Sequence, residues 1–437
     1  MKYNSTNGVS SPVDFKEATI RGQAPDKGLY FPERIPRIDA KLLTDIENLS
    51  NEEIAVRVIA PYTGDTIPME TLERIVAETV NFPIPLVPIT DNISALELFH
   101  GPTLAFKDIG ARFMSRCLGF FMGTSANTRK VTVLVATSGD TGGAVANGFY
   151  GVEGIEVVIL YPHGKVSPVQ EKQLTTLGKN IHALEVDGSF DDCQRMVKMA
   201  FTDDELNRQV FLTSANSINV ARWLPQQFYY FFAYKQWQDK SIPPVISVPS
   251  GNFGNICAGL LAAQSGLPVT HFIAACNVND TVSGYLQTGE MKARPAVATL
   301  SNAMDVGDPS NFVRILEIFR HRHPDIVAML SAATITDEET LATIRDVYSK
   351  HEYLADPHGA VGYLALQRYL GTHGNAKGIF LETAHPVKFP AAVEEATGRV
   401  MDIPSSLAAL MKVEKKSRRI GPVYDELKGF LLHVTRY

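Results

Sequence analysis

The stretch Val-Thr-Val-Leu-Val-Ala-Thr-Ser-Gly-Asp-Thr-Gly, residues 131–142, decides the fold class. Its first half is an uncharged, largely β-branched run, which is typical of a strand covered on both faces, and its second half is a glycine-rich turn. Residues 245–254, Val-Ile-Ser-Val-Pro-Ser-Gly-Asn-Phe-Gly, repeat the pattern, and a small-residue helix follows each turn. Strand, turn and helix are the parts of a β-α-β unit, so the sequence predicts an α/β protein with mainly parallel sheets.

Outward from these stretches, short apolar runs alternate with longer amphipathic ones. We predict strands over residues 131–136, 156–161, 181–186, 245–248, 271–275 and 378–381, and helices over residues 217–237 and 337–348. Residues 1–94 read differently, because proline and glycine interrupt them at short intervals. We expect a separate amino-terminal domain there, joined to the rest through the proline-rich residues 82–88, which are predicted to be an extended linker.

Length and composition describe an ordinary globular chain: 437 residues, 45% hydrophobic, with 41 Lys and Arg against 47 Asp and Glu. The net charge of −6 disfavours a nucleic-acid partner. We expect a cytoplasmic protein, because residues 1–10 are polar and no run approaches the ~18 apolar residues of a membrane helix. The widely spaced cysteines lack a C-x-x-C pair and argue against zinc and disulfides: Cys117, Cys193, Cys257 and Cys276. The basic run at residues 415–419 is interpreted as a solvated surface segment.

The two glycine turns, residues 138–142 and 250–254, share the pattern Ser-Gly-[Asp/Asn]-x-Gly. A turn between a parallel strand and a helix collects free backbone N–H groups at the positive end of the helix dipole, where anions bind. Two such turns therefore predict sites for two anionic groups. Neither turn is G-x-G-x-x-G or ends in Gly-Lys-Ser/Thr, which disfavours NAD and ATP as ligands.

Lys107 is the candidate nucleophile. It follows a strand-like segment and the turn at Gly101-Pro102, and it lies where a helix is predicted to begin. The positive end of the helix dipole penalises an ammonium, so this position lowers the pKa of a lysine, as Schiff-base chemistry requires. The segment alone is also compatible with a solvated lysine at a helix end.

These motifs together carry a resemblance. The stretches at residues 99–108, 136–142, 214–219, 249–255 and 383–389 resemble, in order, those of the threonine synthase family, which belongs to the fold type II (tryptophan synthase β) group of pyridoxal-phosphate enzymes. Residues 21–33 resemble the amino-terminal domain of the same family. The resemblance implies two three-layer α/β domains after residues 1–94, at residues 95–235 and 236–437. The sequence departs from the family pattern at Asp26-Lys-Gly28 and at Asp356-Pro-His-Gly359, where Gly359 replaces a more usual Thr or Ala.

The resemblance also implies roles for individual residues. Lys107 would carry pyridoxal 5'-phosphate as a Schiff base, and Thr383 would face the pyridine nitrogen. The turn that would hold the cofactor phosphate comprises Gly251, Asn252, Phe253, Gly254 and Asn255. The loop that would receive the substrate amino acid comprises Thr137, Ser138, Gly139, Asp140 and Thr141. A pocket for the substrate phosphate would comprise Ser214, Asn216, Asn219 and Arg222. No metal is expected.

The implied activity is a lyase reaction of threonine biosynthesis that converts O-phospho-L-homoserine and water into L-threonine and phosphate, in a monomer or homodimer. Two alternatives remain open at this point. One is another fold type II lyase, such as a serine or threonine dehydratase or a cysteine synthase, although these have no use for a second phosphate pocket. The other is a catalytically silent relative that binds a phosphorylated metabolite, which the presence of Lys107 disfavours.

Overall fold

A computed structural model gives the architecture and describes residues 1–124 and 130–434. Its strands are β1 (Tyr3–Ser5), β2 (Tyr30–Pro32), β3 (Leu86–Pro88), β4 (Ile93–Glu97), β5 (Val131–Ala136), β6 (Ile155–Pro162), β7 (Ile181–Val186), β8 (Phe211–Ser214), β9 (Val245–Pro249), β10 (His271–Cys276), β11 (Leu330–Thr334), β12 (Gly378–Glu382) and β13 (Ser417–Ile420).

The helices fill the intervals between these strands. They are α1 (Phe15–Arg21), α2 (Ala40–Asp45), α3 (Asn51–Thr63), α4 (Met69–Thr79), α5 (Lys107–Gly123), α6 (Asp140–Phe149), α7 (Pro168–Thr175), α8 (Phe190–Thr202), α9 (Asp204–Gln209), α10 (Val220–Trp223), α11 (Gln227–Gln236), α12 (Gly254–Ser265), α13 (Thr281–Thr288), α14 (Phe312–Ile318), α15 (His323–Met329), α16 (Asp337–His351), α17 (Pro357–Leu370), α18 (Pro390–Thr397), α19 (Ser405–Met411) and α20 (Tyr424–Val434).

The described strands form a small amino-terminal pair and two larger sheets. β1 and β2 pair antiparallel. One large sheet has the order β11-β10-β9-β12-β4-β3, and the other has the order β13-β7-β6-β5-β8. All pairings in the two large sheets are parallel except that of β3 with β4. The predicted α/β class with mainly parallel sheets is confirmed.

The predicted strands occur with ends shifted by at most one residue, as in β6 and β9. Their residues are almost all buried, which explains why near-continuous apolar runs marked them. The helix predicted over residues 217–237 is interrupted: α10 ends at Trp223, a 3₁₀ turn spans Leu224–Gln226, and α11 follows. Pro225 lies in that turn and cannot donate a helical hydrogen bond, so one continuous helix was the wrong prediction.

Sheet membership does not follow contiguous chain segments. The expected boundary at residues 94 and 95 falls inside β4, which pairs with β12 near the other end of the chain. β13 returns to the first α/β unit and pairs with β7. The proline-rich residues 82–88 are not a free linker, because they include the edge strand β3, where Pro88 is tolerated.

Parallel strands place their carboxyl ends, and the turns that follow, at one edge of each sheet. β5 leads into the turn before α6, β9 leads into the turn before α12, and β12 leads to Thr383. Such edges are where ligands bind in open α/β sheets. Across residues 1–124 and 130–434, the helices are too short or too polar to span a membrane.

Candidate active site

Lys107 is the first residue of α5 and lies against the segment that follows β12. The Phe106 amide donates a hydrogen bond to the Thr383 carbonyl (2.8 Å), and the His385 amide donates one to the Leu104 carbonyl (3.1 Å). Ala105 and Ala384 form an isolated antiparallel bridge between the same two segments. The turn before α5 is thereby fixed on the residues after β12, so Lys107 and Thr383 belong to one site.

The environment of Lys107 favours a neutral amine. Burial of the amino group lowers the pKa of Lys107, and the nearby cations of Lys388 and Arg222 lower it further, while the carboxylates of Asp140 and Asp356 act in the opposite direction. The expected lowering is therefore present, but desolvation is its largest cause rather than the helix dipole. In its neutral form, a buried amine close to the turn that carries Asp140 can act as a nucleophile and as a proton acceptor.

The turn at residues 250–255 presents main-chain donors. The first hydrogen bond of α12 runs from the Cys257 amide to the Phe253 carbonyl (3.0 Å), so the N–H groups of residues 251–255 precede the helical ladder. Phe253 has a positive φ of 61°, which turns the chain into the helix. A Cβ at Gly251 would lie 2.5 Å from the Cα of Met304, so only glycine fits under that backbone.

The side chains of this turn serve to shape it. Asn252 Nδ2 donates to the Ser217 hydroxyl (2.8 Å), and Asn252 Oδ1 accepts from the backbone N–H of Ser310 (2.7 Å). The Asn255 amide donates to the Pro249 carbonyl (2.7 Å). One side-chain donor of Asn252 and one of Asn255 are therefore engaged by the protein, and their backbone N–H groups are the additional donors for a phosphate. A turn of backbone N–H donors that is packed against the Met304 backbone is suited to bind a phosphate.

Thr383 is buried, and its hydroxyl has no hydrogen-bond partner within the described part of the chain. Thr383 does not cap the following 3₁₀ turn, because His385 is the cap and its Nδ1 accepts from the Val387 amide (3.1 Å). Burial lowers the pKa of His385 to about 4, which keeps this ring neutral at pH 7. A free hydroxyl beside Lys107 fits the predicted role of facing a ring nitrogen.

The turn at residues 137–142 is built differently. The Thr137 hydroxyl accepts from the amides of Gly139 (3.0 Å) and Gly142 (2.8 Å), so this side chain organises the turn and is not available to a ligand. Gly139 has a φ of 142°, and a Cβ there would meet the Gln170 side chain at 2.5 Å. Ser138 and Thr141 remain partly exposed at the start of α6.

The Asp140 carboxylate is engaged in a buried ion pair. Lys388 Nζ lies 2.8 Å from Asp140 Oδ1, and the Gln170 amide donates to the same oxygen at 2.9 Å. Burial alone would raise the pKa of Asp140, but the cations of Lys388 and Lys107 hold it below its usual range. In this arrangement Asp140 is the ion-pair partner of Lys388, rather than a group that faces a substrate anion.

The stretch at residues 214–222 departs furthest from its predicted role. Asn219 is fully buried, and its amide donates to the carbonyls of Thr19 (2.9 Å) and Ser214 (3.2 Å) while its oxygen caps α10 at the Ala221 amide (3.0 Å). In place of the predicted substrate contact, the Asn219 side chain makes a hydrogen bond to Thr19 of the amino-terminal domain. The hydroxyl of Ser214 accepts from the Asn216 amide (3.2 Å).

Arg222 and Asn216 retain capacity for a ligand. The Arg222 guanidinium donates to the Ala215 carbonyl (2.7 Å), and its Nε is buried without a partner in the described residues. Burial lowers the pKa of Arg222 to about 10, so it stays cationic at pH 7. Asn216 Oδ1 is likewise buried and unpaired. Because Arg222 acts electrostatically on Lys107, it belongs to the same site.

Sequence reasoning missed Lys388, Gln170 and the buried acids Asp356 and Glu382. Lys388 was in a stretch that marked the family, but its role depends on Asp140, which is 248 residues away. The available sequence signal was its place in that motif, which marks Lys388 as a candidate but does not show its partner. Within the described residues, no group of His, Cys, Asp and Glu side chains is suited to hold a metal.

Comparisons with known proteins agree with this geometry. Family models match residues 91–381 (pyridoxal-phosphate dependent enzyme), 2–80 (threonine synthase N terminus) and 359–430 (threonine synthase, C-terminal). The chain is 44% identical over 436 residues to the threonine synthase of Serratia marcescens, covering 99% of each chain. It is 44% identical over 434 residues to that of Escherichia coli strain K12, covering 99% of this chain and 100% of the other.

Solved structures give the same result. The crystal structure of pyridoxal-phosphate-bound threonine synthase from Brucella melitensis matches with a TM-score of 0.94 at 37% identity, over 100% of each chain. The crystal structure of the Escherichia coli threonine synthase matches with a TM-score of 0.91 at 42% identity, over 99% of this chain and 100% of the other. A threonine deaminase from Solanum lycopersicum, 15% identical with a TM-score of 0.58, shares the fold.

Proposed function

The chain belongs to the threonine synthase family of pyridoxal-phosphate-dependent lyases, and from this membership we propose that it converts O-phospho-L-homoserine and water into L-threonine and phosphate, with Lys107 as its catalytic residue. The observation that carries the assignment of Lys107 is its position: the lysine opens α5, is tied through Phe106 to Thr383, and has a pKa lowered by burial.

We assign the cofactor contacts to three parts of the site. Lys107 binds the cofactor covalently, the N–H groups of residues 251–255 hold its phosphate, and the free Thr383 hydroxyl meets its ring nitrogen. The glycine at 251, which leaves room under Met304, and the unpaired Thr383 hydroxyl support this fit. When bound, pyridoxal phosphate supplies the electron-withdrawing ring that permits proton loss from the substrate carbons and departure of its phosphate.

The chain's own groups then position the substrate and move protons. The N–H groups at the start of α6, with the Ser138 and Thr141 side chains, receive the substrate carboxylate. Arg222, with Asn216 and Ser214, binds the γ-phosphate, and the Lys388 ammonium adds positive charge to the same cleft. The Lys107 amine, whose pKa is lowered by burial, accepts a proton from one carbon and returns it to another.

Phosphate release measured together with threonine formation tests the proposal. The purified holoenzyme is given O-phospho-L-homoserine, and we expect equal amounts of inorganic phosphate and threonine. Lys107→Ala is the matched control and should form neither. Pyruvate or 2-oxobutanoate from serine or threonine, without threonine from the phosphorylated substrate, would instead indicate a dehydratase.

We also propose a cytoplasmic monomer or homodimer. The cysteines support this location, because all of them are buried and none forms a disulfide: Cys117, Cys193, Cys257 and Cys276. Light scattering of the purified protein across a range of concentrations measures the assembly state, and a tetramer would contradict it.

A further inference from the structure

Two acidic side chains lie buried together beside the site. Asp356 precedes α17 and Glu382 ends β12, and neither is accessible to solvent. We call Asp356 and Glu382 the acid pair. The Asp356 amide donates to Glu382 Oε1 (2.6 Å), which holds the two acidic residues close together. Two ionised carboxylates this close would repel each other in a medium that screens charge poorly.

The remaining oxygens of the pair are orphaned. Asp356 Oδ2 and Glu382 Oε2 are both buried and have no donor in the described residues. A buried acceptor without a donor costs stability, and in a native protein it calls for an explanation. One proton held between these two oxygens would satisfy both of them and remove the repulsion.

The neighbours of each carboxyl decide which one holds the proton. Asp356 Oδ1 accepts from the His358 amide (2.7 Å) and from His358 Nδ1 (2.5 Å), and Asp356 caps the amino end of α17, all of which favour its anion. Within the described residues, the one hydrogen bond that the Glu382 carboxyl accepts is from the Asp356 amide. Burial, and next the charge of Asp356, raise the pKa of Glu382 well above its usual range, and Glu97 adds to this effect.

The arrangement continues to the turn that faces the cofactor phosphate. His358 donates through Nδ1 to Asp356, so its Nε2 carries a lone pair, and that atom accepts from the Ala303 amide (3.2 Å). Ala303 belongs to the 3₁₀ turn Asn302–Met304, whose backbone packs over Gly251. The orientation of His358 therefore fixes the backbone that closes over this turn.

We propose that Glu382 is held as a neutral carboxylic acid that donates its proton to Asp356, and that this acid pair positions His358 and, through it, the Asn302–Met304 backbone against the Gly251 turn. Glu382 and His358 act as positioning residues. The second half of the statement rests on the proposed binding of the cofactor phosphate at residues 251–255, whereas the first half stands without it.

Gly359 makes room for this arrangement. A Cβ built at Gly359 would overlap Glu382 Oε2, the orphaned oxygen itself. The departure from the family motif at Gly359 is therefore matched by a carboxyl that occupies the place of the missing side chain. Glu382 and Gly359 should accordingly behave as a coupled pair in mutagenesis.

Infrared difference spectroscopy tests the neutral acid directly. The spectrum of the holoenzyme minus that of Glu382→Gln should contain the carbonyl stretch of a protonated carboxyl at neutral pH. Glu185→Gln is the matched control, because Glu185 is also buried but lies 2.7 Å from Lys415 Nζ, and it should remove only carboxylate absorption. Carboxylate absorption in the Glu382 difference would overturn the proposal.

Stability against pH gives a second, independent readout. The unfolded chain ionises Glu382 above pH ~4.3, while the folded protein keeps it neutral, so the holoenzyme loses stability relative to Glu382→Gln as the pH rises. Between pH ~4.3 and the raised pKa of folded Glu382, the ratio of the unfolding constant of the wild type to that of Glu382→Gln should change by about tenfold per pH unit. The titratable groups that face Glu382 are Asp356, Glu97 and Tyr353. A ratio independent of pH would contradict a neutral Glu382.

Cofactor affinity tests the positioning role. Glu382→Gln keeps a donor toward Asp356, so its dissociation constant for pyridoxal phosphate should stay within about twofold of the wild-type value, whereas Glu382→Ala should raise it about tenfold. Gly359→Ala should resemble Glu382→Ala, and the double variant should be no worse than either. Equal losses of cofactor affinity in Glu382→Gln and Glu382→Ala, or wild-type affinity in Glu382→Ala, would overturn the positioning role of Glu382. A lack of threonine formation would count against the proposed function and leave the infrared and pH results intact.

Discussion

The turns at residues 137–142 and 250–255 share a sequence pattern but are stabilised in different ways. The turn before α12 is held from outside, by Met304 over Gly251 and by Ser217 and Ser310 on the Asn252 side chain. The turn before α6 is held by its own Thr137 hydroxyl, and its Asp140 carboxylate forms an ion pair with Lys388. One is a fixed cradle of backbone donors, and the other ends in an ion pair that another anion can compete for. The pattern alone predicts an anion site but not which of these it is.

Removing Lys107, on which both proposed binding turns depend for catalysis, should have the largest effect. Lys107→Ala deletes the cofactor attachment and the proton acceptor, so turnover should fall by at least ~10³-fold, while alanine preserves α5. Initial rates of threonine formation and the melting temperature measure the two effects. Turnover near the wild-type rate would remove Lys107 from the mechanism.

A methyl group in the fixed turn should come next. Gly251→Ala places a Cβ 2.5 Å from the Met304 Cα, and because the neighbour is backbone the turn must deform. We expect the cofactor dissociation constant to rise by about tenfold to a hundredfold, in line with overpacking costs of ~1–3 kcal/mol. Gly284→Ala is the matched control, since nothing lies near its Cβ. Unchanged affinity in Gly251→Ala would mean that the phosphate binds elsewhere.

A change at the Thr383 hydroxyl should distinguish a group that contacts a ligand from one that stabilises the fold. Thr383→Val removes a hydroxyl that has no protein partner in the described chain, so the stability of the apoenzyme should change little while turnover falls about tenfold. Thr340→Val is the opposite control, because its hydroxyl donates to the Thr336 carbonyl (2.8 Å) far from Lys107 in the chain. It should lower the melting temperature and spare turnover. The reverse pattern would assign Thr383 a structural role.

The parts of the fold that sequence predicted are those whose signal is local. Buried strands such as β5 and β7 are near-continuous apolar runs, so their ends could be read directly. The basic run at residues 415–419 was interpreted as a solvated surface segment, and Arg418 and Arg419 are exposed. Residues 417–420 nevertheless form β13, whose pairing with β7 depends on a distant partner. Edge strands with charged faces carry little of the periodic signal that identifies central strands.

The site follows the same rule. Lys107, the glycine turns and Thr383 lie in short motifs and were identified as candidates from them. Asn219 was assigned to the substrate by its motif, but its amide is used by Thr19 of the amino-terminal domain. Roles for Lys388 and Glu382 could not be assigned, because a buried ionisable side chain acts together with its partner, and folding alone brings those partners close.

The smallest expected effect concerns the charges around Lys107. It tests whether the ion pair between Asp140 and Lys388 changes the pKa of Lys107. The Asp140 carboxylate raises the pKa of Lys107 and the Lys388 cation lowers it. Asp140→Asn should therefore increase the neutral fraction of the Lys107 amine at pH 7, and the apoenzyme should recombine with pyridoxal phosphate a few-fold faster. Lys388→Met should act in the opposite direction. Asp346→Asn, which disturbs an exposed pair with Lys350, is the control and should leave the rate unchanged. Stopped-flow absorbance of the recombination measures all three variants. Changes of the same sign in Asp140→Asn and Lys388→Met would mean that the ion pair acts by holding the turn in place, and the α6 turn would then be as rigid a support as the turn before α12.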